Sequence, residues 1–268
     1  MNTTSDWGKY TPPKKAWFLQ FLIKIGLSRG AIRKQILKAW KKRFGDLIDT
    51  TVRGVNYRLN IENNVTDRQI LAASKEYDGA ELAALLEACK DGAFIDIGAN
   101  IGYYSLILAA RGVKHVIAIE PNPPTLARLR YNVDINTFKE NITILPIGIG
   151  EEGSFELFST GDLGSASLIQ PKHGNVKKIT IQTRPLLDIL TEIKIKKLGG
   201  IKIDVEGMED RALLPFFKNA PQTLWPTCMV IEHCNKEDWE TDIISFLVDS
   251  GYQITHRSRG NTILKKQS

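Results

Sequence analysis

Cysteine is scarce in this sequence: Cys89, Cys228 and Cys234 are the whole set, an odd number with no Cys-x-x-Cys pair. That argues against a disulfide framework and a cysteine-held zinc, and it leads to the expectation of a reducing, cytoplasmic location. Long apolar runs are missing as well. The longest near the start, residues 16–27, is broken by Gln20 and Lys24 and falls short of the about 20 residues that a membrane span needs. No small-residue cleavage site follows it, so neither a secretory signal nor an anchor is expected. Internal repeats and low-complexity tracts are absent. So is Gly-x-Gly-x-x-Gly, which weakens a nicotinamide oxidoreductase.

What is present suits a globular protein. At 268 residues and 43% hydrophobic composition the chain can bury a sizeable core, and one main domain with an appendage is expected. The formal charge of +6 is unevenly placed: residues 1–48 hold eleven Lys and Arg against Asp6 and Asp46, a net +9, and the remainder is net −3. The expected division is therefore a basic helical extension, residues 1–50, and a mildly acidic body, residues 51–268. Residues 1–15, with Pro12 and Pro13 and no period, are expected to be disordered. Beyond them Ser28 is placed to cap a helix in which Ile32, Ile36, Trp40 and Phe44 recur every four residues. The favoured reading is an arm packed on the body or forming a homodimer contact. A second reading has residues 17–44 touching anionic lipid heads through Lys38, Lys41, Lys42 and Arg43 beside Trp40 and Phe44.

The richest segment is Phe94-Ile-Asp-Ile-Gly-Ala-Asn-Ile-Gly102. A buried strand ends there in a turn whose Gly98 and Gly102 let the backbone take positive φ and lie against a ligand. A second strand, residues 115–120, ends in Glu120, 22 residues beyond Gly98. A carboxylate at that position suits a ribose diol, and the absence of a phosphate-binding helix start favours a nucleoside ligand without phosphates. Residues 51–61 read as a small hairpin, and Thr66 with Gln69 as the capping box of a helix. Strands and helices then alternate, with strands at 142–149, 200–205 and 228–232, helices between them including 236–250, and a closing hairpin about Arg259-Gly-Asn261. This pattern predicts an α/β fold whose mainly parallel sheet is covered on both faces.

A second constellation is Ile201-Lys-Ile-Asp-Val-Glu-Gly-Met-Glu209. The two-residue period puts Lys202, Asp204 and Glu206 on one side of an apolar strand, where unpaired charges are costly; they are expected to converge at the sheet's ligand-binding edge. His233 leaves the neighbouring strand, and its ordinary pKa suits proton transfer. Asp204, Glu206 and His233 are thus the candidate catalytic residues. No metal site is read: the carboxylates could hold Mg²⁺, but no second Asp-Asn pair stands at the next strand.

Taken together, residues 94–105, Ile119-Glu-Pro-Asn-Pro123, Asn132 to Asn136 and Lys202-Ile-Asp-Val-Glu-Gly-Met-Glu209 resemble the FkbM family of S-adenosylmethionine-dependent methyltransferases. The likeness runs from about Val52 to the C-terminus. It implies a class I methyltransferase sandwich, a seven-stranded sheet of order 3-2-1-4-5-7-6 with one antiparallel strand. It further implies S-adenosyl-L-methionine as cofactor, with Asp96, Gly98, Asn100 and Gly102 along its methionine moiety and Glu120 on its ribose. The acceptor would be a hydroxyl of a sugar, a glycolipid or polysaccharide, or a polyketide-like small molecule. The Gly/Ser segment 161–168 resembles a family loop that closes on substrate, which makes Ser165, Ser167 and Glu209 candidate substrate contacts. The family's relatives place an adenine-contacting acid after the third strand; here that strand ends Pro146-Ile-Gly-Ile-Gly150, and the adenine contact stays open. Two rival readings are a nucleic-acid methyltransferase using the basic arm and a non-catalytic cofactor-binding protein. Against the first stand the acidic body and the lack of an Asn/Asp-Pro-Pro-aromatic turn, so no nucleic-acid partner is expected.

Overall fold

The computed structural model describes residues 3–14, 30–72, 78–159, 167–169 and 177–267. The expected cap at Ser28, the substrate contact at Ser165 and the stretch 16–27 lie outside the described residues. After helix α1 (Gly30–Phe44) come a hairpin, β1 (Leu47–Val52) and β2 (Val55–Asn60), and two helices, α2 (Val65–Ala72) and α3 (Gly79–Ala88). The body then alternates: β3 (Ala93–Ile97), α4 (Tyr103–Ala110), β4 (Val116–Ile119), α5 (Pro123–Asp134), β5 (Ile142–Leu145), β6 (Gly148–Ile149), β7 (Gly153–Ser159), β8 (Lys177–Arg184) and α6 (Leu186–Glu192). It closes with β9 (Leu198–Ile203), α7 (Glu209–Asn219), β10 (Cys228–Glu232), α8 (Ile243–Asp249), β11 (Tyr252–Arg257) and β12 (Asn261–Lys266).

Seven strands form the main sheet in the order β11-β12-β10-β9-β3-β4-β5, and β12 alone runs against the others. The order and the single reversed strand are those of the class I methyltransferase-like α/β fold. Both faces are covered. Phe94, Val116, Ala118 and Val230 pack with α3, α4, α5 and the β1–β2 hairpin, while Ile95, Ile97, Ile201, Ile203 and Ile231 pack with α6, α7 and α8. Near-continuous Ile and Val strands are what a sheet buried on two faces demands.

Several local expectations are corrected. The strand expected over 142–149 is interrupted at Pro146, which cannot donate to a ladder; β5 stays in the main sheet and β6 joins a separate three-stranded sheet, β6-β8-β7. The helix expected over 236–250 shortens to α8, because Asp242 accepts from Ile244 N and Ser245 N and fixes the start there. Asn64, not Thr66, caps α2: its Oδ1 accepts from Thr66 N at 2.8 Å.

Residues 3–14 are likewise ordered. Arg58 on β2 is fully buried, bonded through Nε and Nη2 to Asp49 at 2.7 and 2.8 Å. It also donates to the carbonyls of Ser5 and Asp6 and lies over the rings of Tyr10 and Tyr131. Gly8 N and Tyr10 N donate to the same Asp49 carboxylate. A buried guanidinium needs this many acceptors, and the segment supplies the ones that the hairpin lacks. In α1 the face bearing Ile36 and Trp40 is turned into the core, with Trp40 fully buried, so Trp40 is not available to a lipid surface. No helix among the described residues is long and apolar enough to cross a membrane.

Replacing Arg58 with Leu leaves the Asp49 carboxylate buried without its counter-charge. Chemical denaturation is expected to show a loss of about 3–5 kcal/mol, with residues 3–14 becoming protease-sensitive in the folded protein. A loss under about 0.5 kcal/mol would mean that the segment is not tied down by this ion pair.

Candidate active site

The turn after β3 is built by close approach. Gly98, Asn100 and Gly102 all have positive φ, at 76°, 52° and 91°. A Cβ on Gly98 would lie 1.9 Å from the carbonyl oxygen of Asp204, so the turn and the end of β9 touch through bare backbone. Gly98 N and Ala99 N donate to Ile119 O, Asn100 N to Glu120 Oε2 at 2.9 Å, and Asn122 N to Glu120 Oε1 at 2.9 Å. Glu120 is thereby fixed at the end of β4. Burial, with Asp96 and Asp204 adding to it, raises its pKa to about 7 against the two N–H donors.

Two cavities meet at this turn. The first, with about 660 Å³ of empty space, has Glu120, Asn122 and Glu206 on its polar side and Ile149, Leu157, Leu168 and Ile181 on its apolar side. The second, with about 1320 Å³ and open to solvent, is lined by residues that include Asp78, Asp96, Tyr104, Glu232 and Arg259. Gly98, Asn100 and Asp204 line both.

Register explains the charged cluster. Asp96 pairs with Lys202, and Lys202 with Val230, so one step beyond the paired strands Asp204 stands beside Glu232. The Lys202 ammonium is buried, 2.9 Å from Asp204 Oδ2 and over the Tyr104 ring at 5.5 Å. Burial alone would lower its pKa, but Asp204 and Asp96 outweigh that and hold it above the ordinary lysine value. Glu206 has φ 55°, an uncommon conformation for a side chain of its size. Its carbonyl accepts from Ser167 Oγ and its carboxylate from Asn235 Nδ2. Burial first, then Asp204 and Glu232, raise its pKa to about 8, so at neutral pH it is protonated and able to donate.

Not every expected residue faces a cavity. His233 lines neither: its Nδ1 is 3.1 Å from Thr262 Oγ1 on β12. Strand alternation turns it away from Asp204 and puts its neighbour Glu232 there instead. Glu209 is consumed by the turn, accepting from Val205 N, Gly207 N and Trp239 Nε1, and is not free for substrate. The Asn100 side chain is engaged with Asn64 and Thr66, which ties α2 to the turn. Gly102 serves packing: a Cβ there would meet Leu129 at 2.7 Å. Asp96 is buried at the floor, bonded to Ser105 N and Oγ.

Among the described residues Asp204, Glu209 and Glu232 bring carboxylate oxygens within 4.8 Å of one another. Of these, Glu209 is committed to three donors, and Lys202 supplies counter-charge to Asp204.

A buried carboxylate, a buried amide and an apolar slot thus stand together at the carboxyl ends of parallel strands, where open α/β sheets bind ligands, here in a class I methyltransferase fold. The methyltransferase FkbM domain profile matches residues 96–254, and the chain belongs to that family. It is a methyltransferase, and its cofactor is S-adenosylmethionine. No curated protein matches the sequence. Among solved structures it is similar to the Pyrococcus abyssi tRNA (uracil-54, C5)-methyltransferase in complex with S-adenosyl-L-homocysteine, at 13% identity and TM-score 0.42, over 82% of this chain and 44% of that one. It is also similar to the Geobacter metallireducens precorrin-6y C5,15-methyltransferase, at 15% identity and TM-score 0.42, covering 73% and 93% of the two chains. The third is the human methyltransferase 10 domain containing protein, at 13% identity and TM-score 0.46, covering 87% and 94%.

Two outcomes test the electrostatics. Glu120→Ala is expected to weaken S-adenosylhomocysteine binding by about 1.5–3 kcal/mol in calorimetry, the scale of charge-assisted hydrogen bonds; unchanged affinity removes Glu120 from the ribose. For Glu206, whose folded pKa of about 8 exceeds its ordinary 4.5, stability is full below 4.5 and is lost as pH rises through 8. Glu206→Gln, fixed neutral, is expected to match the parent's Tm near pH 4.5 and exceed it near pH 8.5. A Tm difference independent of pH would show an unperturbed carboxyl.

Proposed function

We propose that this methyltransferase transfers the methyl group to a hydroxyl oxygen of a small molecule or glycan: a sugar, a glycolipid or polysaccharide, or a polyketide-like compound. The observation that carries the reading is the position of Asp204 at the junction of the two cavities, with Lys202 on one of its oxygens and Glu232 beside it. Bound S-adenosylmethionine supplies an electrophilic methyl on its sulfonium sulfur. A hydroxyl must lose its proton as the carbon–oxygen bond forms, and a placed base contributes about 10² to 10⁴ in rate.

Asp204 is that base. Lys202 holds Oδ2, which leaves Oδ1 to accept the hydroxyl proton, and the short reach from a rigid strand end keeps it in place. Glu206, protonated at neutral pH, donates to a second oxygen of the acceptor. The cavity walls around Asp204 orient the acceptor, and orientation of this kind supplies about 7–11 kcal/mol in ideal intramolecular cases.

The lining also bears on acceptor class. Asp78, Asp96, Asp204 and Glu232 face the second cavity against Lys202 and Arg259. Such a surface repels a polyphosphate and suits a neutral polyhydroxyl compound, whose hydroxyls donate to carboxylates.

Methyl-labelled S-adenosylmethionine incubated with neutral oligosaccharides, glycolipids and oligonucleotides is expected to label a hydroxyl acceptor and not the oligonucleotides. Asp204→Asn is expected to lower kcat by about 10² to 10⁴ while S-adenosylhomocysteine affinity stays within about twofold. Label in the oligonucleotides, or full turnover by Asp204→Asn, overturns the reading.

A further inference from the structure

Asn122 occupies the N-cap of α5, a position where asparagine ordinarily accepts a hydrogen bond from the first helical turn. It makes no such bond. The next two residues are Pro123 and Pro124, which have no N–H to give, so most of what a cap would satisfy is missing. The side chain is nevertheless only 2% exposed, and both its Oδ1 and its Nδ2 are without a hydrogen-bond partner among the described residues. Burying a whole amide unpaired is costly, and a cost of this kind at a cavity wall points to a ligand that completes it. Of the buried unpaired side-chain atoms among the described residues, those of Asn122 and Glu232 line the two cavities.

The surroundings say what kind of ligand. The backbone N–H of Asn122 holds Glu120, the carboxylate fitted to the ribose diol, while its side chain lines the same cavity two residues farther on. Across from it Ile149, Leu157, Leu168 and Ile181 form an apolar slot. The chain after the third strand, Pro146-Ile-Gly-Ile-Gly150, offers no carboxylate to that slot. A flat base entering beside a ribose held at Glu120 therefore meets one side-chain amide with a donor and an acceptor both free. Adenine carries the complementary pair, its 6-amino donor next to a ring-nitrogen acceptor, and asparagine pairs with that combination in two hydrogen bonds.

We propose that Asn122 is the residue that reads the adenine of S-adenosylmethionine, in place of a carboxylate after the third strand. The proposal rests on the cofactor's ribose lying at Glu120.

Calorimetry with S-adenosylhomocysteine and with its analogue lacking the 6-amino group separates the two assignments. The parent protein is expected to prefer the amino ligand by about tenfold or more, since a site built around a hydrogen bond rejects the analogue lacking it. Asn122→Leu is expected to bind S-adenosylhomocysteine about 10- to 100-fold more weakly and to bring the two ligands within about threefold of each other. Its Tm is expected to equal or exceed the parent's, because an unpaired buried amide is gone; Asn122→Ala repeats the test if Leu does not fit. Glu120→Gln is expected to weaken both ligands by the same factor and keep the preference. A preference retained in Asn122→Leu and Asn122→Ala overturns the proposal, and an ordered water on the amide would give that result. If Glu120→Gln leaves both affinities unchanged, the ribose placement fails and the assignment of Asn122 falls with it.

Discussion

Everything in the site depends on the contact between Gly98 and the carbonyl of Asp204, a meeting of two strand ends with no space for a single additional carbon. Because the two chains approach that closely, the glycine turn after β3 and the charged turn after β9 form one surface. Asp204 can then serve both cavities at once.

The same constraint sets the electrostatic problem that Lys202 answers. Five carboxyl groups, Asp96, Asp204, Glu206, Glu209 and Glu232, crowd the ends of β3, β9 and β10, and such a group cannot stay fully ionised in low dielectric. The lysine provides one buried cation between Asp96 and Asp204, N–H donors from the backbone and Trp239 settle Glu209, and Glu206 takes a proton instead. Counter-charge, N–H donors and a proton thus relieve the crowding at the junction of the two cavities. Paired burial of this sort is weak support for stability, which makes a chemical purpose the better account of it.

How much of this could be read from the sequence depends on the range of the interaction involved. Glu120 and the Gly98 turn follow from a strand's period and a spacing within one β-α-β unit, and both are where the pattern puts them. Glu232 was missed in favour of His233 because the choice turns on the register between β9 and β10, which no local pattern states; once Lys202 is paired with Val230, the acid falls beside Asp204. Glu209 looked available to substrate because nothing in Glu-Gly-Met-Glu shows that a tryptophan 30 positions on will bond it. Residues 3–14 carry no period at all, and their order comes from a buried arginine on another element. Asn122 had a signal, two prolines directly after a capping residue, whose meaning depends on the side chain being buried.

Helix α5 has a further consequence. Its N-cap residue, Asn122, lines the first cavity; along its length Arg128 pairs with the buried Asp67 of α2, Asn132 accepts from Arg58 N, and Tyr131 donates to Ser5 O. Just past its end, Asn136 exchanges hydrogen bonds with the Asn56 backbone. One helix therefore has the first cavity at one end and the amino-terminal segment at the other. Local opening of the hairpin breaks bonds that hold this helix, so the hairpin and the cavity wall are expected to behave as one cooperative unit in native-state exchange. Occupancy of that cavity is accordingly expected to slow amide exchange in hairpin residues that do not line it.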